Sequence, residues 1–283
     1  MIRGVLAMNR KEKDEIIFAA LNNVYSKLTT EGYNLIYLAA YGSMNYNLDE
    51  FDDRYKSDID MKAFVYPTIS DLYHNSYINK SVITDFGIVE IKDIRLLVEL
   101  VGKMNSSCLE LLETKYCIFK GETEKKLFEE LKDPYEKIKD ERFPLLILGL
   151  YGTINNKRAR ILKNISEKAE KYAQTGFYDP KDIQHSLRMQ IMVHRLVDQH
   201  MSLKDALYFN DGKERDKLME YKINPTIMSK EEIEKLFADI DNDLKPIVEI
   251  EKAKCNGSPS IIDFDKVIYK FVVDEIFKNR KEI

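Results

Sequence analysis

Seven consecutive apolar residues at positions 35–41 end abruptly at Gly42 and Ser43. An apolar run of this length predicts a strand that is buried on both of its faces. The stretch after it is polar, with acidic residues at positions 49, 50, 52 and 53, and indicates a loop. Asp58 and Asp60 then stand two residues apart at the head of a second apolar segment. The fold therefore has to place a glycine–serine break and an acidic pair beside a buried strand.

The segment that begins with the acidic pair alternates between polar and apolar side chains as far as residue 66. Asp58, Asp60 and Lys62 fall on one face of the predicted strand, and the apolar residues between them fall on the other. Two carboxylates at positions i and i+2 of a strand point in the same direction, so they can share one metal ion. Mg²⁺ (or Mn²⁺) is the expected ion, because it accepts hard oxygen ligands.

A third carboxylate is expected on the next alternating segment, residues 88–92. Glu90 faces away from the apolar side chains of that segment, as Asp58 and Asp60 do on theirs. Asp93 has the opposite parity and suits the N-cap of a helix. Glu90 is therefore the preferred third ligand, and Asp93 is the alternative.

These side chains together predict metal-dependent nucleotidyl transfer. In that reaction two divalent cations brace the attacking and leaving oxygens while a nucleoside monophosphate moves from an NTP to a hydroxyl group. Gly42 allows the backbone to approach a phosphate, and the Ser43 hydroxyl can donate to the β- or γ-phosphate. Asp58, Asp60 and Glu90 are the predicted catalytic and metal-binding residues, and Glu90 could also take the proton of the acceptor hydroxyl.

Composition along the chain predicts two domains. Strand-like alternation gives way to helical spacing after about residue 125, and two prolines bracket the change. We therefore predict an α+β protein in which residues 1–140 form a small mixed sheet with helices and residues 141–283 form an all-helical domain. A long helix is expected from Pro144 to about residue 173, because proline suits a first helical turn.

The helical part carries a local excess of positive charge. Residues 151–200 contain nine lysines and arginines but only five acids, although the whole chain has a net charge of −4. On a helix that starts near Pro180, His185, Arg188 and Arg195 fall on one face. Such a face could bind a triphosphate or an RNA backbone. A solvated basic face with a buried histidine is the alternative, and for Arg195 it is equally favoured.

Bulk composition indicates a globular protein. Hydrophobic residues make up 44% of the 283 positions, and the net charge of −4 argues against a surface adapted to coat DNA. The three cysteines are too few and too scattered for a disulfide framework and fit a reducing compartment. No apolar run approaches the roughly 20 residues of a membrane span, and no signal peptide is recognisable at the start. A cytoplasmic protein without a membrane partner is expected.

The combination of an apolar strand, a Gly-Ser break, an Asp-x-Asp strand and a further acid resembles the DNA polymerase beta-like nucleotidyltransferase superfamily. Two later blocks resemble the RNA-ligase-associated nucleotidyltransferases of phages and bacteria. The first comprises residues 90–95, 103–105 and 109–112, with Ser106 where that family has proline. The second comprises residues 176–181 with His185 and Arg188, where Phe177 is an additional residue and Met189 replaces leucine.

The resemblance implies a polymerase beta-like domain followed by a helical domain that closes one side of a cleft. It also implies that Lys181, His185 and Arg188 contact the nucleotide or the acceptor. The acceptor implied is an RNA end, either tRNA or a cleaved RNA, in repair or end modification. The sequence leaves the NTP, the number of residues added and the oligomeric state open.

Two other functions remain compatible with the same residues. The transferred nucleotide could go to a protein or to a small molecule, because the acids do not distinguish between acceptors. Alternatively, the chain could be a non-catalytic module that binds nucleotide or RNA on the same fold. All three acidic positions are filled, which favours the catalytic interpretation.

Overall fold

The computed structural model describes residues 8–52, 55–162, 180–223, 228–255 and 261–279. The chain divides into two units. We call the first the sheet unit, which comprises Met1–Asn45, Asp49–Arg142 and Pro259–Ile283. The second, the helical unit, comprises Tyr46–Leu48 and Phe143–Ser258.

The described elements follow one another in the order expected of an α+β chain. The strands are β1 (Leu35–Ala40), β2 (Phe51–Asp52), β3 (Tyr55–Lys56), β4 (Met61–Val65), β5 (Asn79–Ile83), β6 (Ile88–Asp93) and β7 (Cys117–Phe119). The helices are α1 (Arg10–Thr30), α2 (Ser43–Tyr46), α3 (Ile69–Tyr73), α4 (Leu96–Gly102), α5 (Ser106–Glu113), α6 (Glu122–Glu130), α7 (Lys132–Glu141), α8 (Phe143–Leu162), α9 (Pro180–Val197), α10 (Leu203–Leu207), α11 (Lys213–Ile223), α12 (Lys230–Lys254) and α13 (Ile262–Asn279).

Five strands form one mixed sheet with the order β5–β6–β4–β1–β7. Strand β4 runs parallel to β6, and the other neighbouring strands are antiparallel. The register places Lys62 of β4 opposite Glu90 of β6. The predicted small mixed sheet is therefore confirmed, and β1 lies next to the strand that follows the acidic pair.

The apolar run on β1 is buried on both faces, as predicted. On one face Leu38 and Ala40 pack with apolar residues of α1, which starts at an Asn9 capping box with Glu12. On the other face the Tyr37 hydroxyl donates to the Leu111 carbonyl of α5. Helices on both sides therefore hold β1 and the turn that follows it in place.

The acidic stretch after α2, predicted as a polar loop, contains a short strand pair and buries two of its acids. Asp49 and Glu50 are buried, and their partners are Arg10 and Lys13 of α1. The short strands β2 and β3 pair within this stretch. Because buried carboxylates need partners, the two cations of α1 account for this burial.

The last helix differs from the predicted domain division. The boundary near residue 140 coincides with the observed division after Arg142, but α13 belongs to the sheet unit. Phe264, Ile268 and Val272 are buried there, and α13 packs against α4, α6 and α7. An apolar helical stripe predicts burial, but it does not identify the surface on which the helix packs.

The helical unit is built around α8. Helices α9 and α12 pack against it, and α10 and α11 pack against α9. Helix α8 begins at Phe143 and is described as far as Leu162, so the predicted continuation to residue 173 lies outside the described residues. Gly176 to Asp179 of the second family-like block also lie outside them. Among the helices described, none is both long and apolar enough to cross a membrane.

Candidate active site

The predicted glycine–serine break is a tight turn between β1 and α2. Gly42 has a φ of +85°, which favours glycine over residues with a side chain. Its N–H donates to Glu110 Oε1 across 2.6 Å, and Glu110 is a buried residue of α5. Ser43 Oγ makes only a long contact of 3.9 Å with Met44 Sδ in the described part of the chain. Because the Gly42 N–H is already bound to Glu110, the Ser43 hydroxyl is the donor of this turn that can reach a phosphate.

Asp58 and Asp60 precede β4, so they lie at the end of the sheet and not inside a strand as predicted. Asp58 is exposed and Asp60 is partly buried. The Asp60 carbonyl accepts from Tyr41 N at 3.0 Å, and Asp60 Oδ1 accepts from Ile88 N at 3.1 Å. Backbone groups on either side therefore fix Asp60, whereas Asp58 faces solvent.

Gly87, in the turn between β5 and β6, packs directly against the acidic pair. A Cβ atom at this position would lie 2.8 Å from the Ile59 carbonyl oxygen and 3.0 Å from Asp60 Oδ1. In the same turn, the Phe86 carbonyl accepts a hydrogen bond from Ile59 N at 2.7 Å. A side chain on residue 87 would displace the backbone that carries Asp60, so glycine is required here for space.

Glu90 lies opposite Lys62 and is surrounded by donors. Lys62 Nζ is 3.5 Å from Glu90 Oε1, and Lys92 Nζ is 3.3 Å from Glu90 Oε2. The Tyr41 hydroxyl donates to Glu90 Oε1 at 3.0 Å. Lys62 Nζ also donates to Ser107 Oγ at 3.1 Å and lies 3.6 Å from the centre of the Tyr41 ring.

The ionisation of this group follows from its neighbours. Burial would raise the pKa of Glu90, but Lys62, Tyr41 and Lys92 together lower it below 4.5. Burial lowers the pKa of Lys62, and the nearby Glu90 and Glu110 only partly oppose this. Burial also raises the pKa of the Tyr41 hydroxyl, and Glu90 and Asp60 raise it further. Glu90 is therefore a carboxylate anion with two ammonium partners.

Asp93 is the last residue of β6 and not the N-cap that was predicted, because α4 begins later and its N-cap is Arg95. Its carboxylate is fully buried and accepts from the backbone N–H of Arg95 at 2.9 Å. The Arg95 guanidinium also donates to both oxygens of Asp93. Both carboxylate oxygens are thus engaged by a single neighbour.

Of the three predicted metal ligands, two are available to a divalent cation and one is not. Asp58 and Asp60 supply hard carboxylate oxygens beside the turn, which is the chemistry that Mg²⁺ or Mn²⁺ requires. The third predicted ligand, Glu90, is bound by Lys62 and Lys92 instead. Over the described ranges, no three His, Cys, Asp or Glu side chains form a group that could hold a metal ion.

The helical unit contains the predicted residues Lys181, His185 and Arg188 on α9. The Arg188 guanidinium is buried and lies 3.8 Å from the centre of the Tyr46 ring. Burial lowers the pKa of His185 well below 6.5, and four nearby cations lower it further: Arg188, Lys157, Lys181 and Lys222. The imidazole is therefore neutral and stands within a cluster of positive groups.

Residues Tyr46–Leu48 belong to the helical unit even though Tyr46 is the last residue of α2. The carbonyl oxygens of all three accept hydrogen bonds from this unit: from Phe209 N, from Arg215 Nε and from Lys222 Nζ. The Asn47 side chain donates to the Phe209 carbonyl at 2.9 Å. Asn47 has a φ of +59°, a conformation that asparagine tolerates better than most residues.

Arg195 has a structural role. Its guanidinium donates to the carbonyls of Ala206 and Tyr208, pairs with Glu214, and lies 4.2 Å from the centre of the Phe209 ring. These contacts join α9 to the segment around α10. These contacts account for the position of Arg195 without a bound nucleotide or RNA.

Sequence reasoning did not identify Glu110, Gly87 or Lys62 as site residues. A signal existed for Lys62, because it is a lysine inside an apolar strand and shares a face with Asp60. Glu110 carried a weaker signal as an acid flanked by leucines on a predicted helix. No local pattern marks Gly87, since its role depends on contact with a segment nearly thirty residues away.

No protein-family model matches this sequence, and no curated protein matches it.

Proposed function

We propose that this chain is a metal-dependent nucleotidyltransferase of the polymerase beta-like class. It transfers a nucleoside monophosphate from an NTP to a hydroxyl acceptor, and an RNA end is the preferred acceptor. The residue before Gly42 supplies the main support. The Tyr41 N–H donates to the Asp60 carbonyl and the Tyr41 hydroxyl donates to Glu90, so the turn and these two predicted acids lie close together.

The reaction assigns a task to each group. The acceptor oxygen bonds to the α-phosphorus, the bond from that phosphorus to the bridging oxygen breaks, and pyrophosphate leaves. Asp58 and Asp60 would hold a divalent cation, which when bound supplies Lewis-acid stabilisation of the developing charge. Ser43 donates a hydrogen bond to the triphosphate. Because Glu90 has a lowered pKa and two lysine partners, it is a weak base, and the hydroxyl proton passes to solvent.

The helical unit supports an anionic partner. Four cations lie near His185 on α9, and their charge suits phosphate groups even though Lys157 pairs with the buried Asp182. Arg188 adds a planar guanidinium whose Nε has no hydrogen-bond partner among the described residues. An RNA backbone or the triphosphate of the NTP would satisfy the Arg188 Nε donor.

A screen of acceptors tests the proposal. Each of the four labelled NTPs is incubated with Mg²⁺ and with RNAs that have defined 3′ or cleaved ends, with total tRNA, and with total protein. Label on an RNA end supports the proposal, and label on protein supports the alternative acceptor. Nucleotide binding that is independent of Mg²⁺, without label transfer to any acceptor, supports the non-catalytic module.

The matched control compares two pairs of aspartates. The Asp58→Asn/Asp60→Asn variant should abolish transfer, since it removes both carboxylate charges and keeps the side-chain volume. The Asp133→Asn/Asp140→Asn variant changes two exposed aspartates of α7 in the same unit and should transfer normally. Equal activity of the two variants would contradict the proposed site.

A further inference from the structure

Glu90 is neutralised by the protein itself. Ammonium groups lie near both of its oxygens, Lys62 at 3.5 Å and Lys92 at 3.3 Å, and the Tyr41 hydroxyl is 3.0 Å away. A carboxylate with two positive partners carries little net attraction for a further cation.

Lys62 cannot leave Glu90 easily. Its side chain is 5% exposed and extends from the second residue of β4, directly opposite Glu90 on β6. Nζ is enclosed by the Ser107 hydroxyl and the face of the Tyr41 ring. Glu90 is 27% exposed, but a rearrangement that freed it would leave the buried Lys62 charge uncompensated, so the protein resists such a change.

Lys62 also contacts Tyr41, whose backbone N–H donates to the Asp60 carbonyl. Its positive charge therefore lies beside Glu90, the carboxylate that a second, bridging cation would have to share with the aspartates. Like charges in a partly desolvated site repel strongly, and this repulsion opposes such a cation.

We infer that Lys62 is a built-in cation of the site. Together with Lys92 it makes Glu90 a counter-ion, so that Asp58 and Asp60 bind a divalent cation without Glu90 as a ligand. The inference rests on the proposed function, since it takes the two aspartates as the metal ligands. It assigns Lys62 as a positioning residue and departs from the three-carboxylate arrangement that the sequence predicted.

Counting the water molecules on a bound lanthanide tests this directly. Tb³⁺ takes oxygen ligands, and its luminescence lifetimes in H₂O and D₂O give the number of coordinated waters. In the Glu90→Gln variant we expect the same number as in the wild type, to within about half a water molecule. A larger increase would show that Glu90 is a ligand and would overturn the inference.

Removing the lysine should have the opposite effect. In Lys62→Met, Glu90 loses its main partner and can turn to the ion, so at least about one coordinated water should be lost. The double variant Lys62→Met/Glu90→Gln should return to the wild-type number. An unchanged count in a folded Lys62→Met protein would also contradict the inference. If Lys62→Met does not fold, Glu90→Gln alone decides.

Two further proteins separate this inference from the proposed function. Asp58→Asn/Asp60→Asn should weaken Tb³⁺ binding at least about tenfold, and Asp133→Asn/Asp140→Asn should not. Unchanged binding in the first variant would refute the metal assignment and this inference with it. Weakened binding there, combined with an increased water count in Glu90→Gln, would refute the inference alone.

Discussion

Glu110 on α5 accepts the backbone N–H of Gly42 across 2.6 Å, although 68 residues separate the two in sequence. The buried carboxylate thereby fixes the turn from which Ser43 projects. Replacing Glu110 by Ala should leave the Gly42 N–H unsatisfied and lower the free energy of unfolding by about 1–3 kcal/mol. Because the turn also loosens, we expect kcat/KM for nucleotidyl transfer to fall by at least about tenfold.

Replacing Glu110 by Gln separates the effect of its hydrogen bond to Gly42 from the effect of its charge. Glu110→Gln keeps a carbonyl oxygen that can accept from Gly42, so most of the activity should return. Glu99→Ala, which removes an exposed acid of α4, serves as the control and should behave like the wild type. Full activity in Glu110→Ala would contradict the positioning role.

Gly87 supports the backbone that carries Asp60. In Gly87→Ala the added Cβ meets the Ile59 carbonyl at 2.8 Å and must displace it. We expect a folded protein whose kcat/KM falls by about 10- to 100-fold, since small displacements of catalytic groups have effects of this size. Gly149→Ala, within α8 where a Cβ meets nothing within 4 Å, should instead keep its activity and gain up to about 1 kcal/mol.

His194 should make the stability of the helical unit depend on pH. Burial would lower the pKa of His194, but Asp198 at 2.6 Å and Asp243 at 2.7 Å raise it above 6.5 overall. A raised pKa in the folded state contributes stability that is fully present below pH 6.5 and is lost as the pH rises through the folded-state value. The contribution should be at most about 1 kcal/mol, because the pair is partly exposed.

The measurement is urea unfolding of the wild type and His194→Gln between pH 5 and pH 9. The difference between the two proteins should shrink as the pH rises. The lowered pKa of His185 makes stability rise with pH, but it does so equally in both proteins. Subtracting one free energy of unfolding from the other therefore removes this effect. His74→Gln changes an exposed histidine of the sheet unit and should give no such trend. A constant difference for His194→Gln would argue against the ion pairs.

Helix α13 should stabilise the sheet unit. Ile268 is 1% exposed on this helix, so Ile268→Ala should lower the free energy of unfolding by about 2–4 kcal/mol. Ile262 on the same helix is 57% exposed, and Ile262→Ala should change stability by less than about 0.5 kcal/mol. Hydrogen exchange of β1 and β4 shows whether the loss falls on the sheet unit. Faster exchange confined to α8 and α9 would contradict the assignment of α13.

The sequence predicted those features that depend on local periodicity. The apolar run of β1, the parity of Glu90 and the starts of α8 and α9 follow from spacings of two or from proline positions. The burial of Asp49 and Glu50 could not be predicted in the same way, because it depends on cations in α1.

Long-range register determines the rest of the site. That Lys62 pairs with Glu90 follows from the parallel alignment of β4 and β6, which no local pattern specifies. The contacts of Glu110 with Gly42 and of Gly87 with Asp60 likewise join distant segments. Parity indicates which face a side chain occupies, but only the assembled sheet shows which partner it meets.

Pyrophosphate release is the most direct test of the central claim. The wild type, incubated with Mg²⁺, the four NTPs and RNA ends, should release one pyrophosphate for each nucleotide joined to the acceptor. Asp58→Asn/Asp60→Asn should release at least about a thousandfold less while it unfolds at the same temperature. Release at the wild-type rate by that variant, or label transfer without pyrophosphate, would contradict nucleotidyl transfer at this site.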